Sequence, residues 1–175
     1  MTLKWRKRLL VAKTESTYGV DAAPVGANAI LGRNVEIDPL AGSVIGRELV
    51  KPTLGNEPQT HVETHVVISF EVEAAGAGSA GTAPAYGPLL RACGFSETID
   101  PGVDVQYDPV SSGEESITLY LNIDGQKHAA LGCRGSFKLQ LSKGKNPVFA
   151  FRFVGLWVEP ASVVAPTPDF SAFMD

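Results

Sequence analysis

Residues 62–74 read Val-Glu-Thr-His-Val-Val-Ile-Ser-Phe-Glu-Val-Glu-Ala and alternate over their whole length. Val62, Thr64, Val66, Ile68, Phe70, Val72 and Ala74 fall on one face; Glu63, His65, Val67, Ser69, Glu71 and Glu73 fall on the other. A period of two sustained this far predicts a β-strand with one face buried and one wet. At about 3.3 Å per residue the strand spans roughly 40 Å, against about 17–20 Å for an ordinary one. A small core does not need so long a strand. A sheet that runs on beyond its own domain does, which points to a subunit of an assembly.

The remaining pattern is that of an all-β chain. Its 175 residues suffice for one domain with a real core. The 18 glycines, 12 prolines and short aliphatic runs favour strands and turns over long helices. A first strand is expected over residues 29–38, a turn at 39–42 and a second strand or an arm over 43–50. Residues 51–58 carry Pro52, Gly55 and Pro58 and predict an exposed extended loop. Beyond a loop-rich stretch at 96–113, with a short strand over 103–107, three meander strands are expected at 117–123, 126–131 and 137–141. Asp124-Gly125 marks a tight hairpin between the first two. A long last strand covers 148–158, where Phe149, Phe151 and Phe153 share one face, with Trp157 in phase beyond them. That row predicts sheet core.

Charge is distributed unevenly. Lys4, Arg6, Lys7, Arg8 and Lys13 put five positive charges in the first thirteen residues, with no acid. The rest of the chain holds ten basic against nineteen acidic side chains, a net of −9. A basic arm on an acidic body suits docking on a second copy or on nucleic acid, and Trp5 alone supplies too little aromatic interleaving for the latter. The apolar run 9–12 is too short for a signal sequence, and no stretch is long enough to span a membrane as a helix.

Between the long strand and the meander, glycines at 76, 78 and 81 interrupt regular structure, and "GTAPAYGPLLRACGF" (81–95) follows. Pro84 suits a first helical turn and Gly94 a stop, so a short helix is expected over 84–93, limited by Pro88. Together with "RLLVAKTESTYGVDAAPVGANAIL" (8–31) and the long strand, this set resembles the major tail tube proteins of long-tailed bacteriophages. The resemblance implies an antiparallel β-sandwich or partly closed barrel with one flanking helix. It implies a structural subunit whose rings, six tube domains around, stack into a hollow tail through which DNA passes without specific binding. It also implies tape-measure and tail-terminator proteins as further partners, a place in the virion and assembly in the bacterial cytoplasm.

On this reading residues 1–28 form a basic arm and loop, 29–158 the tube domain, and 159–175 a proline-rich linker or tail. If a second tube domain follows such a linker, three chains complete a ring. Lys4, Trp5, Arg6, Lys7, Arg8, Lys51 and Glu57 are the expected contacts between rings. Glu63, Glu71 and Glu73 are expected to face the lumen, where a basic wall would hold phosphates. A tube of the type VI secretion kind and a carbohydrate-binding β-sandwich of a baseplate or adhesin are the alternatives.

Catalytic chemistry finds no footing in the residues. His61 and His65 share a strand face about 13 Å apart, too far for one ion. Residues 76–81 lack the Lys-Ser/Thr of a phosphate loop. Asp100, Asp104 and Asp108 do not have the spacing of a calcium loop. Cys93 and Cys133 form no CxxC pair and are expected as reduced, buried side chains. No enzyme activity, cofactor or metal is expected.

Overall fold

A computed structural model describes residues 4–52, 54–171 and 173. Met1 to Leu3 of the expected arm, Thr53 of the expected loop and Ala172, Met174 and Asp175 of the expected linker lie outside the described residues. The strands are β1 (Arg8–Thr14), β2 (Ala29–Ile30), β3 (Gly32–Gly46), β4 (Gln59–Glu73), β5 (Phe95–Asp100), β6 (Asp104–Pro109), β7 (Ile117–Ile123), β8 (Gln126–Gln140), β9 (Val148–Trp157) and β10 (Ala161–Ser162). Among the described residues one α-helix, α1 (Gly87–Arg91), lies between β4 and β5, and a 3-10 turn covers Gly26–Asn28.

All pairings are antiparallel, and the main sheet runs β2-β1-β7-β8-β9-β4-β3 with β10 added beside β8. Its two outer strands, β2 and β3, are separated in the chain by Leu31 alone. One residue cannot bridge a flat sheet, so the sheet rolls until its edges meet, removing most of its free edge. Across the seam the Arg8 guanidinium donates to the Val35 carbonyl at 2.9 Å. The result is the expected all-β, partly closed barrel.

Inside the barrel, Val66, Ile68, Phe70 and Val72 of β4 meet Phe151 and Phe153 of β9 and Ile117, Leu119 and Leu121 of β7. Phe70, Phe151 and Phe153 pack with ring centroids 5.7 to 5.9 Å apart, so the row is core at Phe151 and Phe153, with Phe149 partly buried against them, whereas Trp157 is 42% exposed and lies outside the core. Helix α1 adds Leu89 and Leu90 to the same cluster, and Gly94 ends it at a φ of 86°. It is shorter than the 84–93 expected, because Pro88 holds it to its first turn.

The largest correction concerns residues 1–28. Their apolar run is not an arm but β1, an interior strand between β2 and β7 with Leu9 to Ala12 buried. A strand covered on both faces shows no alternation, so its four apolar residues were indistinguishable from a loop segment. Its outer face joins Tyr120, Ala129 and Ala29 in a second cluster, packed against Val158 and Ala165. The proline-rich tail therefore lies along the barrel: β10 pairs with Gln126 and Lys127, and Asp169 N–H donates to the Gly26 carbonyl at 3.0 Å. Gly26 is required there, since a Cβ would sit 1.8 Å from the Thr167 carbonyl oxygen.

Bulges account for the other differences. The turn expected at 39–42 is absent: Pro39 and Leu40 bulge out of a continuous edge strand, β3, where a missing N–H is harmless. The strands expected at 126–131 and 137–141 are one strand, β8, bulged between Leu131 and Arg134. Gly132, at a φ of 57°, turns its N–H out of the ladder to the Glu15 carboxylate at 2.8 Å. The stretch at 96–113 is a second sheet, the hairpin β5–β6.

Candidate assembly interface

Strand β4 does not end where the barrel ends. His65 pairs with Ala41 on one side and Leu156 on the other; beyond it, residues 59–64 pair with β3 alone, as far as Gly46 opposite Gln59. Together with β3 beyond Ala41 and the described residues of the connecting segment, 47–52 and 54–58, they form a two-stranded ribbon projecting past the Trp157 end of β9. From Ala41/His65 to Ser43/Val62, β3 advances two residues and β4 three. The extra residue is taken up at Glu63, whose φ is 55°. A one-residue slip exchanges faces. Val62 thus falls in step with His65 rather than Val66, His61 and His65 lie on opposite faces, and Thr64 is exposed. The apolar face expected over 62–74 is core only from Val66 to Val72.

The ribbon carries apolar side chains that cover nothing. Val44 and Ile45 are about half exposed, and at the tip Val50 and Leu54 have relative exposures of 102% and 109%. A lone two-stranded ribbon with open edges and apolar residues is marginal in water and a template for another chain. Lys51 lies exposed at the same tip, with Glu57 half-buried nearby.

A second feature lies past the opposite end of β4. The glycine-rich stretch 76–82, the β5–β6 hairpin and the ends of β8 and β9 enclose a cleft of about 700 Å³. Tyr86, Phe95, Phe137 and Phe149 pack as a cluster with centroids 5.2 to 5.5 Å apart and line it. Exposed Leu139 and Val103 line it too. Residues 95–115 hold six acids and no base. Arg91 lies 3.8 Å from Glu97 and 2.7 Å from Glu115, and Tyr107 donates to Glu97 at 2.5 Å, which anchors the hairpin to α1. The Glu115 hydrogen bond, reinforced by the charges of Glu115 and Glu97, pushes the Arg91 pKa up despite its desolvation. Burial first, then the Glu97 hydrogen bond, pushes that of Tyr107 up. Asp100, Asp104 and Asp108 remain exposed and form no ion pair among the described residues.

The residues expected between rings take varied roles. Lys4, Arg6 and Lys51 are exposed and unpaired among the described residues. Lys7 is 3.6 Å from Asp124. Arg8 is committed to its own chain, bound to Val35 and lying 4.5 Å over the Trp5 ring. Glu71 accepts from Arg33 Nε at 3.0 Å and from Asn34 at 3.1 Å, and Glu73 lies 3.4 Å from Arg33. Lys145 lines the same hollow as Arg33 and Glu71, so this face is mixed in charge rather than acidic. The Glu63 bulge separates that residue from the other two.

Sequence reasoning placed an exposed loop at 51–58 but missed the apolar Val50 and Leu54, the cleft and one buried carboxylate. Glu15 accepts from Gly19 N–H, Ser116, Thr118 and Gly132 N–H at 2.7 to 2.9 Å, with no cation paired to it among the described residues. Burial pushes its pKa up, and these hydrogen bonds outweigh it, leaving the group below its ordinary 4.5. It pins the 15–21 loop to the barrel. The thiols of Cys93 and Cys133 are pushed up to about 12 by burial. Among the described residues no three His, Cys, Asp or Glu side chains gather as metal ligands, and no helix is long and apolar enough to cross a membrane.

Residues 5–175 match the family described as phage tail tube protein. The chain belongs to that family. No curated protein matches it. As a tail tube protein it is a structural component of a virion.

Proposed function

We propose that copies of this chain close into rings and that the rings stack into the hollow tail of a bacteriophage, through which DNA passes. The family match over 5–175 carries this reading. Support comes from the ribbon, which offers a neighbour two strand edges and an apolar tip. Contacts of this head-to-tail kind close into a ring or propagate along an axis, according to the rotation they impose. Six tube domains complete a ring: six chains, or three if each native chain carries a second domain. Lys4, Trp5, Arg6, Lys7, Lys51 and Glu57 bear on contacts between rings.

The face of β4 carrying Glu71 and Glu73 is the wall past which DNA slides. Arg33 and Lys145 offset their charge, which leaves a surface with little net attraction for phosphate. Tape-measure and tail-terminator proteins set the length and end of the tube, and assembly takes place in the host cytoplasm. The chain acts without catalysis or cofactor. Negative-stain microscopy of the purified protein tests the reading: rings or tubes with a central hole are expected. A protein that stays monomeric when concentrated, and with tape-measure protein added, overturns it.

A further inference from the structure

The ribbon tip and the aromatic cleft lie at opposite ends of one rigid strand. Residues 65–73 of β4 are held between β3 and β9. At about 3.3 Å per residue they span roughly 30 Å. The ribbon leaves one end, beside Leu156. The cleft begins at the other, where Glu73 pairs with Val148 and the glycine-rich stretch follows directly. A tip cannot reach the cleft of its own chain across that length of barrel.

We propose that the cleft beneath residues 76–82 receives the ribbon tip of a second copy, with Val50 and Leu54 seated against Phe95, Phe137 and Phe149. This rests on the self-assembly reading above and names the surface that completes it. Three observations select a second copy as occupant. The tip presents two apolar side chains without a neighbour, and the cleft presents an apolar floor without a cover. Their placement at opposite poles makes the contact head-to-tail, so every copy gives one tip and receives one, and the contacts link more than two copies. Charge runs the same way: Asp104 lines the cleft, with Asp100 and Asp108 on the same hairpin, while Lys51 directly follows Val50 and Arg47 precedes it on the tip. Glu48 and Glu57 balance those cations, so apolar burial drives the contact and the acids orient it. The glycines of 76–82 fit this role, because a wall with few side chains lets a neighbouring backbone approach closely.

The decisive experiment places one cysteine on each pole of the full chain, Leu54→Cys and Leu139→Cys, both at exposed positions. Burial pushes the thiols of Cys93 and Cys133 up to about 12, and the unsubstituted chain treated alike measures any coupling through them. Assembled tubes treated with a short bismaleimide should give a denaturing-gel ladder of dimers, trimers and longer species. Each single variant should stop at the dimer. Tubes of the double variant that yield nothing beyond the dimer overturn the inference while leaving tube formation intact. A protein that never assembles overturns the reading beneath it. As a second arm, Val50→Glu with Leu54→Glu should keep the melting temperature and raise the critical concentration for assembly on the order of tenfold. Assembly at the unchanged concentration counts against the tip.

Discussion

Residues 65–73 of β4 lie between β3 and β9 with Val66, Ile68, Phe70 and Val72 sealed inside the barrel. Residues 59–64 of the same strand have β3 on one side and solvent on the other. Both halves are β-branched and polar by turns, and both hydrogen-bond to β3. What separates them is one residue, Glu63, and the presence or absence of a third strand. In the barrel half alternation reports a core. In the ribbon half the same chemistry leaves apolar groups in water, as a surface awaiting a partner does. Barrel and ribbon should therefore respond to mutation in opposite ways: the first in folding, the second in assembly.

The harshest way to break that contrast is to truncate the chain through Lys13. This removes all of β1 but Thr14, and with it the rungs to β7 from Arg8/Ile123 to Lys13/Thr118, and opens the barrel seam. The truncated protein should lose its folded state altogether, read as loss of a cooperative thermal transition. A folded truncation that merely fails to assemble restores the arm reading of this segment.

Phe151→Ala attacks the barrel from β9. The ring is buried against Phe70, Phe137, Phe149 and Phe153, so the variant should lose about 3–5 kcal/mol in denaturant unfolding. An unchanged midpoint would place this face in solvent.

Glu15→Gln tests whether a loop is tied to the barrel by charge. The amide keeps one acceptor oxygen and turns a donor toward groups that already donate, which should cost about 1–3 kcal/mol. The carboxyl is held below its ordinary 4.5, so the unfolded chain binds that proton more tightly. Its contribution is therefore present in full above about pH 4.5 and lost as pH falls through the lower folded value. Wild-type stability should drop across that acid window more steeply than the variant's, measured by melting temperature against pH.

Changing Glu71 and Glu73 together to Lys sets new cations beside Arg33 and Lys145. Loss of the exposed pairs should cost about 1 kcal/mol or less in folding. Genome ejection should nevertheless slow at low salt and recover as salt rises. Normal infectivity at low salt removes this face from the channel.

The smallest effect on folding belongs to the ribbon. Val44→Thr with Ile45→Thr should change monomer stability by about 0.5 kcal/mol or less, because both side chains are about half exposed. A large loss would mean that the ribbon is folded against its own barrel.

Much of this protein was legible in its residues. The alternation at 66–72 and at 149–153, the Asp124-Gly125 hairpin (φ 43° and 91°) and the Gly94 helix stop each depend on nearest neighbours along the chain, and each stands as read. The basic, apolar opening segment did not betray β1, because a strand buried on both faces has no period to detect. Nor did residues 39–42 and 132 announce bulges, since a bulge is a register between two strands and neither strand carries it alone. Local sequence determined the strands around 66–72, 117–123 and 149–153 and the tight turn at 124–125, through side-chain period and backbone conformational preference. Only the tertiary structure decided that β2 and β3 close the sheet, that Glu15 is satisfied by four donors drawn from three segments, and that a tip and a cleft lie at opposite poles. These are relations between residues far apart in the chain, and hydrophobic burial summed over the whole barrel selects among them.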